Sequence, residues 1–440
     1  MTADLIVTRA TLVTADGRDD GRGTVIRDGA LAVAGGRIAR IGTAAEIGTD
    51  AREVVDAEGG LLAPGLVNTH CHAGCSLFRG LVEGLPLEPW LRQVWKAEAA
   101  ILDDRTTRLG ARLGLAEQLL CGVTCVLDMY WRPRQTVAAA RDLGMRIATG
   151  PIFFDGPGVD GATPEARIAD AGRFFAEHAG AADVLPAVLP HGTYTVSPDL
   201  LVASRRLADA AGAIWSTHAA ETRAEQADVA ARYGRSVVRH LDALGLLGPR
   251  TVLAHGVWLD DEEIAILAAR GAAVAHNPVS NLKLASGIAR APDLLAAGVR
   301  VTLGTDGAIS GNDLDLWLAL RLAAMLHKGA TLRADAVTAT QALAMVTREA
   351  AAALGADDRI GSLEPGKQAD MILLDLRRPS AQPLFDPVTH LVWSAAKSDV
   401  RQVWIGGARV VRDGALVRHD IGETLDEVAA LAPRIAEAVA

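Results

Sequence analysis

The sequence predicts an α/β fold, a (β/α)8 TIM-type barrel with a small β-sandwich domain formed by both chain ends. Through the middle of the chain, short apolar segments alternate with longer segments of helical periodicity. Both ends contain short β-type segments separated by glycine turns instead. The length of 440 residues exceeds what one hydrophobic core usually holds, so more than one domain is expected.

The two chain ends have the pattern of short strands joined by tight turns. The N-terminal segments LIVTRATLVT and TVIRDGALAVAGGRIARIG resemble the C-terminal segments ADMILLDL and VRQVWIGGARVVRDGALV in this respect. Four dipeptides stand where hairpins would reverse: Asp28-Gly29, Gly35-Gly36, Gly406-Gly407 and Asp413-Gly414. We therefore predict one composite β-sandwich domain from residues 1–61 and 366–440, with a final helix in ETLDEVAALAPRIAEAVA.

The barrel is predicted over residues 62–365, where eight apolar segments have the length of buried parallel strands. These segments are LLAPGLVN, VTCVLDM, MRIATGPI, VLPAVLP, AIWSTH, TVLAH, AAVAHN and RVTLGTD. Intervening segments such as DDRTTRLGARLGLAEQLL, PDLLVASRRLADAAG and DDEEIAILAARG have the spacing of amphipathic helices. Eight repeats of this kind indicate a closed barrel.

Polar residues cluster at the ends of these predicted strands. Six of the eleven histidines and one aspartate lie there, namely His70, His72, His191, His218, His255, His276 and Asp306. Barrel enzymes place their chemistry at the carboxyl ends of the strands, where the βα loops converge on one cavity. The clustering therefore predicts one common centre.

The segment His70-Cys71-His72 has a geometry of its own, because side chains two apart on a strand point to the same side. Two imidazoles can therefore share one metal ion, although an H-x-H alone also occurs as ordinary strand histidines. Asp306 ends an apolar strand, where a carboxylate needs a cation or several donors; a turn aspartate is the alternative. Glu221 follows His218 by three residues and could carry a proton or simply favour a helix N-terminus.

Composition and charge narrow the class of partner. The formal charge is −9 and no lysine and arginine cluster could follow a phosphate backbone, so we expect no nucleic-acid partner. No segment approaches the length of a membrane span and no leader-like segment is evident, so we expect no membrane partner and a cytoplasmic protein.

The four cysteines form two C-x3-C pairs; a four-sulfur zinc site is the less favoured interpretation and packed thiols the preferred one.

Several longer motifs are spread over nearly the whole chain. They are APGLVNTHCH, SLFRGLVEGLPLEPWL, LPHGTYTVSP, STHAAET, LAHGVWLDDEEI, AHNPVSNLKLASG, LGTDGAISGNDLDL and IGSLEPGKQADMILLDL. Together these motifs resemble the amidohydrolase superfamily, and within it the aminohydrolases that include methylthioadenosine/S-adenosylhomocysteine deaminases and triazine hydrolases.

The resemblance implies a metal-dependent deaminase that releases ammonia from an amino-substituted nitrogen heterocycle, with an adenine-type nucleoside modified at its 5′ position as the favoured substrate. One divalent metal ion per subunit, zinc with iron as the alternative, would be held by His70, His72, His218 and Asp306. The resemblance implies catalytic roles for Glu221, His255 and Asp306. It implies substrate contacts for Glu98 and His191 and a homodimer or homotetramer.

One segment departs from the resemblance. Arginines that hold the ribose and amino-acid tail in the similar deaminases have no evident counterpart after the third strand, in GMRIATGPIFFDGPGVDGATPEAR. The alternative function is deamination or dechlorination of a free pterin, nucleobase or triazine ring. A non-catalytic scaffold is a further alternative, which the complete set of ligands and Glu221 disfavour.

Overall fold

Strands from the N-terminal segment form one half of a sheet at one end of the molecule. The computed structural model describes residues 2–18, 21 and 23–438. The N-terminal strands are β1 (Ala3–Val13), β2 (Val25–Ala34), β3 (Arg37–Thr43), β4 (Ala51–Asp56) and β5 (Leu61–Pro64).

Parallel strands follow and form the barrel. They are β6 (Leu66–Cys71), β7 (Val123–Asp128), β8 (Arg146–Thr149), β9 (Ile152–Phe153), β10 (Val184–Pro190), β11 (Ile214–Ala219), β12 (Thr251–His255), β13 (Ala273–His276) and β14 (Arg300–Leu303). Each pairs with its neighbour in chain order, except that β9 is a short extra strand on β10. The ring closes where the Asp306 N–H donates to the His70 carbonyl oxygen at 3.1 Å. The eight-stranded barrel predicted from the sequence is confirmed.

The C-terminal segment completes the sheet with β15 (Met371–Leu374), β16 (Val400–Ile405), β17 (Ala408–Arg412) and β18 (Ala415–Leu416). The strand order is β18-β17-β16-β15-β5-β1-β2-β3, with β4 beside β1. Because β5 lies between β1 and β15, it joins the two chain ends in one sheet. This confirms a separate β-structure built from both ends.

Helices surround the barrel and connect its strands. They are α1 (Ala44–Ile47), α2 (Leu87–Ile101), α3 (Asp104–Leu120), α4 (Pro133–Leu143), α5 (Pro164–Glu177), α6 (Pro198–Ala211), α7 (Arg223–Tyr233), α8 (Val237–Ala243), α9 (Asp261–Arg270), α10 (Pro278–Lys283), α11 (Ala291–Ala296), α12 (Ala308–Gly311), α13 (Leu316–Thr331), α14 (Ala339–Met345), α15 (Arg348–Ala353), α16 (Pro387–Trp393) and α17 (Ile421–Glu437). Among the described residues, no helix is long and apolar enough to cross a membrane.

Three of the four predicted turns join strands as expected, at Gly35-Gly36, Gly406-Gly407 and Asp413-Gly414. The turn predicted at Asp28-Gly29 is wrong. Both residues lie inside β2, where the β1–β2 register shifts and Asp28 takes a φ of 46°. Pairing with β1 continues on both sides, so the strand absorbs the left-handed residue as a bulge instead of reversing.

The boundary between sheet and barrel differs in detail from the predicted division at 61/62. The segment that was expected to be one barrel strand is split at Gly65 into β5 and β6. A Cβ at Gly65 would lie 2.3 Å from the Thr124 side chain, so glycine lets the chain pass close to β7. The division into residues 1–61 with 366–440 and 62–365 stays a prediction.

The two helices α16 and α17 lie within the predicted composite domain but pack against the barrel. Arg321 of α13 donates to the Ala395 carbonyl oxygen at 2.7 Å, just beyond α16. Leu431 and Ile435 of α17 join the apolar cluster that contains residues of α2. The final segment is helical as predicted up to Glu437, and its last two residues lie outside the described residues.

A buried ion pair ties the barrel to the sheet. Arg146 of β8 contacts Asp370 through two hydrogen bonds of 3.2 Å, and the two side chains are only 5% and 1% exposed. Asp370 also accepts a 2.7 Å hydrogen bond from the Gly406 N–H in the turn before β17. One carboxylate therefore joins three segments of the two substructures.

We expect Asp370→Asn to lower the free energy of unfolding by about 3–5 kcal/mol, because it leaves the buried guanidinium of Arg146 without its charge partner. Urea denaturation followed by circular dichroism measures the change. The control is Glu427→Gln, which removes an exposed ion pair with Arg105 and should cost no more than about 1 kcal/mol. Equal losses in the two variants would contradict a special role for the buried pair.

Candidate metal centre and active site

A cavity of about 630 Å³, counted to its open mouth, lies at the carboxyl ends of the barrel strands. Seven of the eight predicted site residues line it: His72, Glu98, His191, His218, Glu221, His255 and Asp306. The eighth, His70, has no exposed surface and lies behind this lining. Tertiary structure therefore brings the whole predicted set to one place.

The four predicted metal ligands converge on a common point. Asp306 Oδ1 lies 3.1 Å from His72 Nε2 and 3.5 Å from His70 Nε2. His72 Nε2 lies 3.2 Å from His218 Nε2. Tetrahedral ligands about 2.0–2.1 Å from a zinc ion are about 3.3 Å apart, so these spacings match a zinc coordination shell.

The hydrogen bonds of the outer ring nitrogens fix which atoms face the centre. His72 Nδ1 donates to the Met129 carbonyl oxygen, and His218 Nδ1 donates at 2.6 Å to the His191 carbonyl oxygen. Because a carbonyl oxygen only accepts, both rings carry a proton on Nδ1. Their Nε2 atoms face each other beside Asp306, and although burial opposes it, the carboxylate of Asp306 raises the pKa of His72 to about 9. A metal cation at this point would take the place of the proton on His72 Nε2.

His70 supports the same conclusion. Within the described part of the chain, neither of its buried ring nitrogens has a hydrogen-bond partner. Burial lowers the pKa of His70 to about 4, so the ring is neutral near pH 7 and its Nε2 offers a lone pair. A buried, unpartnered nitrogen is costly, and a metal ion would remove that cost. The residues present therefore fit a divalent metal.

His255 also offers a nitrogen to this region, since its ring nitrogen, His70 and Asp306 place ligand atoms within 4.8 Å of one another. Its Nδ1 contacts Asn281 Oδ1 at 2.8 Å, which aims Nε2 into the cavity. His255 has a φ of 77°, a left-handed conformation that is rare outside glycine. Strained residues of this kind concentrate at functional sites.

Close chain packing holds Asp306 in place. Its own φ is 60°, and Ser280 Oγ donates to its Oδ2 at 2.6 Å. A Cβ at Gly304 would meet Asn277 Oδ1 at 2.2 Å, so glycine is required where β14 passes His70. Although burial opposes the charge, His70 and His72 hold the pKa of Asp306 well below its usual value. Asp306 is therefore an anion directed at the centre.

Glu221 is a buried carboxyl group beside the metal centre. Its Oε2 lies 3.6 Å from His255 Nε2, and its Oε1 accepts a 3.1 Å hydrogen bond from Ser286 Oγ. Burial raises the pKa of Glu221, and the charge of Asp306 adds to the rise although His255 opposes it. A carboxyl group with a raised pKa is suited to proton transfer near neutral pH.

A second carboxyl group, Glu225, was missed by the sequence analysis. Its Oε2 accepts from the Glu221 backbone N–H at 2.8 Å, and its Oε1 accepts from Thr193 Oγ1 at 3.1 Å. Burial raises the pKa of Glu225 to about 7. Glu225 ties the Glu221 loop to the loop after His191. Its sequence position at the start of α7 carries only the ordinary signal of a helix N-terminus.

Glu98 lies on α2 and faces the cavity, as predicted, but both of its oxygens are engaged. Tyr130 Oη donates to Oε1 at 2.7 Å and Trp131 Nε1 donates to Oε2 at 3.0 Å. A carboxylate accepts about four hydrogen bonds, so each oxygen keeps a free acceptor position. The two donors were not found from the sequence, because nothing in the motif around β7 indicates that its end reaches α2.

His191 lines the cavity between the metal centre and an aromatic wall. Its ring centroid lies 4.8 Å from that of His218 and 4.6 Å from that of Phe154. Burial lowers the pKa of His191 to about 3, so the ring is neutral near pH 7. The aromatic residues themselves, including Trp95 and Trp131, were not identified as cavity residues from the sequence.

His276 does not join the cluster, although it stands at the end of β13. Its Nε2 lies 3.3 Å from His327 Nε2 on α13, outside the barrel. Side chains alternate along a strand, and here the next residue, Asn277, points inward and contacts His255 Nδ1 at 3.4 Å. The expectation that every strand-end histidine shares one centre is wrong for this residue. The four cysteines are buried free thiols.

The barrel, the cluster of His70, His72, His218 and Asp306, and the buried acid Glu221 together are the features of a metal-dependent hydrolase with a barrel fold. A family model described as the amidohydrolase family matches residues 61–410. The chain belongs to this family.

Similar proteins cover the chain almost completely. A 5-methylthioadenosine/S-adenosylhomocysteine deaminase of Syntrophobacter fumaroxidans is 40% identical over 98% of both chains. A 5'-deoxyadenosine deaminase of Methanopyrus kandleri is 39% identical over 85% of this chain and 86% of its own. The crystal structure of an adenosine deaminase from Xanthomonas campestris with bound zinc is 34% identical, with a TM-score of 0.94 over 98% of both chains.

We expect the purified protein to contain about one equivalent of divalent metal, and His218→Gln to lose most of it, because the variant removes one converging Nε2. Metal content measured by atomic emission tests this. His276→Gln is the matched control, because it changes a strand-end histidine that points away from the centre. Equal metal content in both variants would be incompatible with the proposed ligand set.

Proposed function

We propose that the protein is a metal-dependent deaminase that hydrolyses the amino group from the adenine ring of a nucleoside modified at its 5′ position, releasing ammonia. The observation that carries this proposal is a set of three groups in and beside the cluster of predicted metal ligands. Asp306 is an anion at the centre, Glu221 is a buried acid beside it, and His255 lies between Glu221 and the ligands. Hydrolytic deamination needs a base, a proton donor and a stabiliser of negative charge.

We assign the metal to His70, His72, His218 and Asp306. A divalent ion held there would lower the pKa of water toward about 7 and would thereby supply a nucleophile at neutral pH. Asp306 is the group in position to accept the proton of the attacking water, since its Oδ1 faces the cluster and Ser280 holds its Oδ2. Zinc is the proposed ion, with iron as the alternative, because imidazole and carboxylate ligands suit both.

Glu221 is the proposed proton donor to the ring nitrogen beside the attacked carbon. Protonation of that nitrogen makes the carbon more electrophilic and lets the amino group leave as ammonia after a second proton transfer. The raised pKa of Glu221 favours the protonated form that donation requires. Catalysis should therefore decline as the pH rises through the pKa of Glu221.

His255, as an imidazolium, is the proposed donor to the oxygen that becomes negatively charged when water adds to the ring. Its Nδ1–H is already given to Asn281 Oδ1, so only the doubly protonated ring also has an Nε2–H to donate. Its Nε2 faces the cavity because Nδ1 is held by Asn281. A donor held in place before the reaction stabilises developing charge without reorganisation. His191 is proposed to contact the substrate, since its ring lies beside His218 and forms part of the cavity wall.

Glu98 is proposed to accept hydrogen bonds from the ribose hydroxyls. Tyr130 and Trp131 hold the carboxylate on the cavity side of α2 and leave acceptor positions free. The names of the similar deaminases support a nucleoside over a free ring. Deamination or dechlorination of a free pterin, nucleobase or triazine is the alternative, and Glu98 argues against it, because such rings carry no ribose to engage this buried carboxylate.

The assembly and location are also proposed on the family resemblance, as a homodimer or homotetramer in the cytoplasm. Analytical ultracentrifugation of the metal-loaded protein tests the assembly.

We expect Glu221→Gln to lower kcat by about 10²–10⁴-fold with a KM within a few-fold of wild type, because the amide keeps the shape but cannot donate the required proton. Ammonia release from adenosine and 5′-modified adenosines measures this. Glu225→Gln is the matched control: it changes a neighbouring buried carboxyl that does not line the cavity, and the loss should be smaller. A Glu221→Gln enzyme with more than about a tenth of wild-type kcat would overturn the proposed role.

We expect Glu98→Ala to raise KM for a 5′-modified adenosine by at least about 10-fold, because charged hydrogen bonds to the ribose are lost. The KM for free adenine should change far less. Initial rates of ammonia release at varied substrate concentration give both values. Equal effects on nucleoside and base would rule out ribose binding by Glu98.

A further inference from the structure

One helix supplies more of the cavity wall away from the metal centre than any other element. The cavity face of α2 carries Leu87, Trp90, Leu91, Val94, Trp95 and Glu98. These positions follow the helical repeat of three and four residues, so they form one continuous face. Five of the six are apolar, and the single charged group is the carboxylate of Glu98.

The charges of the cavity are distributed unevenly. In the part of the chain that the structure describes, no lysine or arginine lines the cavity. Its histidine and carboxyl side chains lie at the metal end, except for Glu98 on α2. The described lining around Glu98 therefore offers no lysine or arginine to an anionic substrate group.

An arginine does lie behind this wall, but its charge is neutralised. The guanidinium of Arg167 lies 5.6 Å from the ring centroid of Trp131. It donates to both oxygens of Asp160, at 2.8 and 2.6 Å, and to the Pro157 carbonyl oxygen at 3.1 Å. Arg167 is 3% exposed, so it packs against the outside of the wall and does not present its charge to the cavity.

These contacts decide which 5′ substituent the cavity accepts. An amino-acid tail carries a carboxylate, which loses hydration on entering an apolar pocket and must be compensated by a cation. In the described part of the chain no lysine or arginine lines the cavity to pair with it, Arg167 is already paired with Asp160, and the carboxylate of Glu98 adds a negative charge to the same cavity. An alkyl or alkylthio group makes only apolar contacts with α2, which burial favours.

Resting on the proposed deaminase function, we propose that the cavity selects adenine nucleosides with an uncharged, apolar 5′ substituent and rejects a zwitterionic amino-acid tail such as that of S-adenosylhomocysteine. The selection acts through the charge of the tail and not through its size.

Steady-state ammonia release from four nucleosides separates charge from size: 5′-deoxyadenosine, 5′-methylthioadenosine, 5′-isobutylthioadenosine and S-adenosylhomocysteine. We expect the first three to have kcat/KM values within about 10-fold of one another, and S-adenosylhomocysteine to be at least about 100-fold below methylthioadenosine, because its carboxylate is unpaired. A similar kcat/KM for S-adenosylhomocysteine and methylthioadenosine would overturn the proposal. An equal loss with the isobutylthio compound would overturn it as well, because size would then be the determinant.

A variant that adds a cation to the cavity wall tests the same proposal, because it supplies the missing partner for the tail carboxylate. Leu91 lies seven residues before Glu98 on the cavity face of α2, about 10 Å along the helix. It is partly exposed, so a longer side chain there has room. Leu91→Arg should narrow the preference for methylthioadenosine over S-adenosylhomocysteine by at least about 10-fold, because it supplies a partner for the tail carboxylate. The matched uncharged variant Leu91→Gln should change the ratio far less, and the same narrowing in Leu91→Gln would contradict the charge argument.

Failure of the proposed function gives a different result. In that case adenosine and all four nucleosides release no ammonia from the metal-loaded enzyme. Titration calorimetry with methylthioadenosine and S-adenosylhomocysteine then tests the selection on binding alone. Tighter binding of methylthioadenosine would uphold the selection, and equal or weaker binding would refute it.

Discussion

The site depends on one constraint, the approach of His72 Nε2 to 3.2 Å from His218 Nε2 and 3.1 Å from Asp306 Oδ1. Each ring donates its Nδ1–H to a backbone carbonyl oxygen, so both Nε2 atoms lie beside the carboxylate of Asp306. In an interior of low dielectric this arrangement costs free energy unless a cation lies between the groups. The surrounding chain holds these groups in this arrangement.

The loops around the centre store strain to maintain this geometry. His255 and Asp306 both have positive φ values, and glycine at position 304 lets β14 pass close to His70. Side chains from the neighbouring loops, Ser280 and Asn281, hold the two strained residues. Ligands positioned before the metal or substrate binds need little reorganisation during the reaction, which is the main source of electrostatic stabilisation in enzymes.

The outer part of the cavity differs from the metal end in its polarity. The metal end is rich in ionisable groups, whereas the face of α2 is apolar around a single carboxylate. Glu98 is held by Tyr130 and Trp131, and Arg167, which packs against Trp131, is paired with Asp160. We therefore propose that the metal end governs the chemistry and that the wall formed by α2 and its neighbours governs which nucleoside reaches it.

The amino-acid sequence by itself determined the eight barrel strands, the β-structure at both ends and the predicted ligands that converge in the candidate metal centre. Apolar periodicity and the position of polar residues at strand ends are local properties, so they can be read along the chain. Only the tertiary structure decided that His276 faces His327, that Asp28 forms a bulge and that Tyr130, Trp131 and Glu225 support the site. These outcomes depend on which distant segments pack together, and packing contacts leave no local pattern in the sequence.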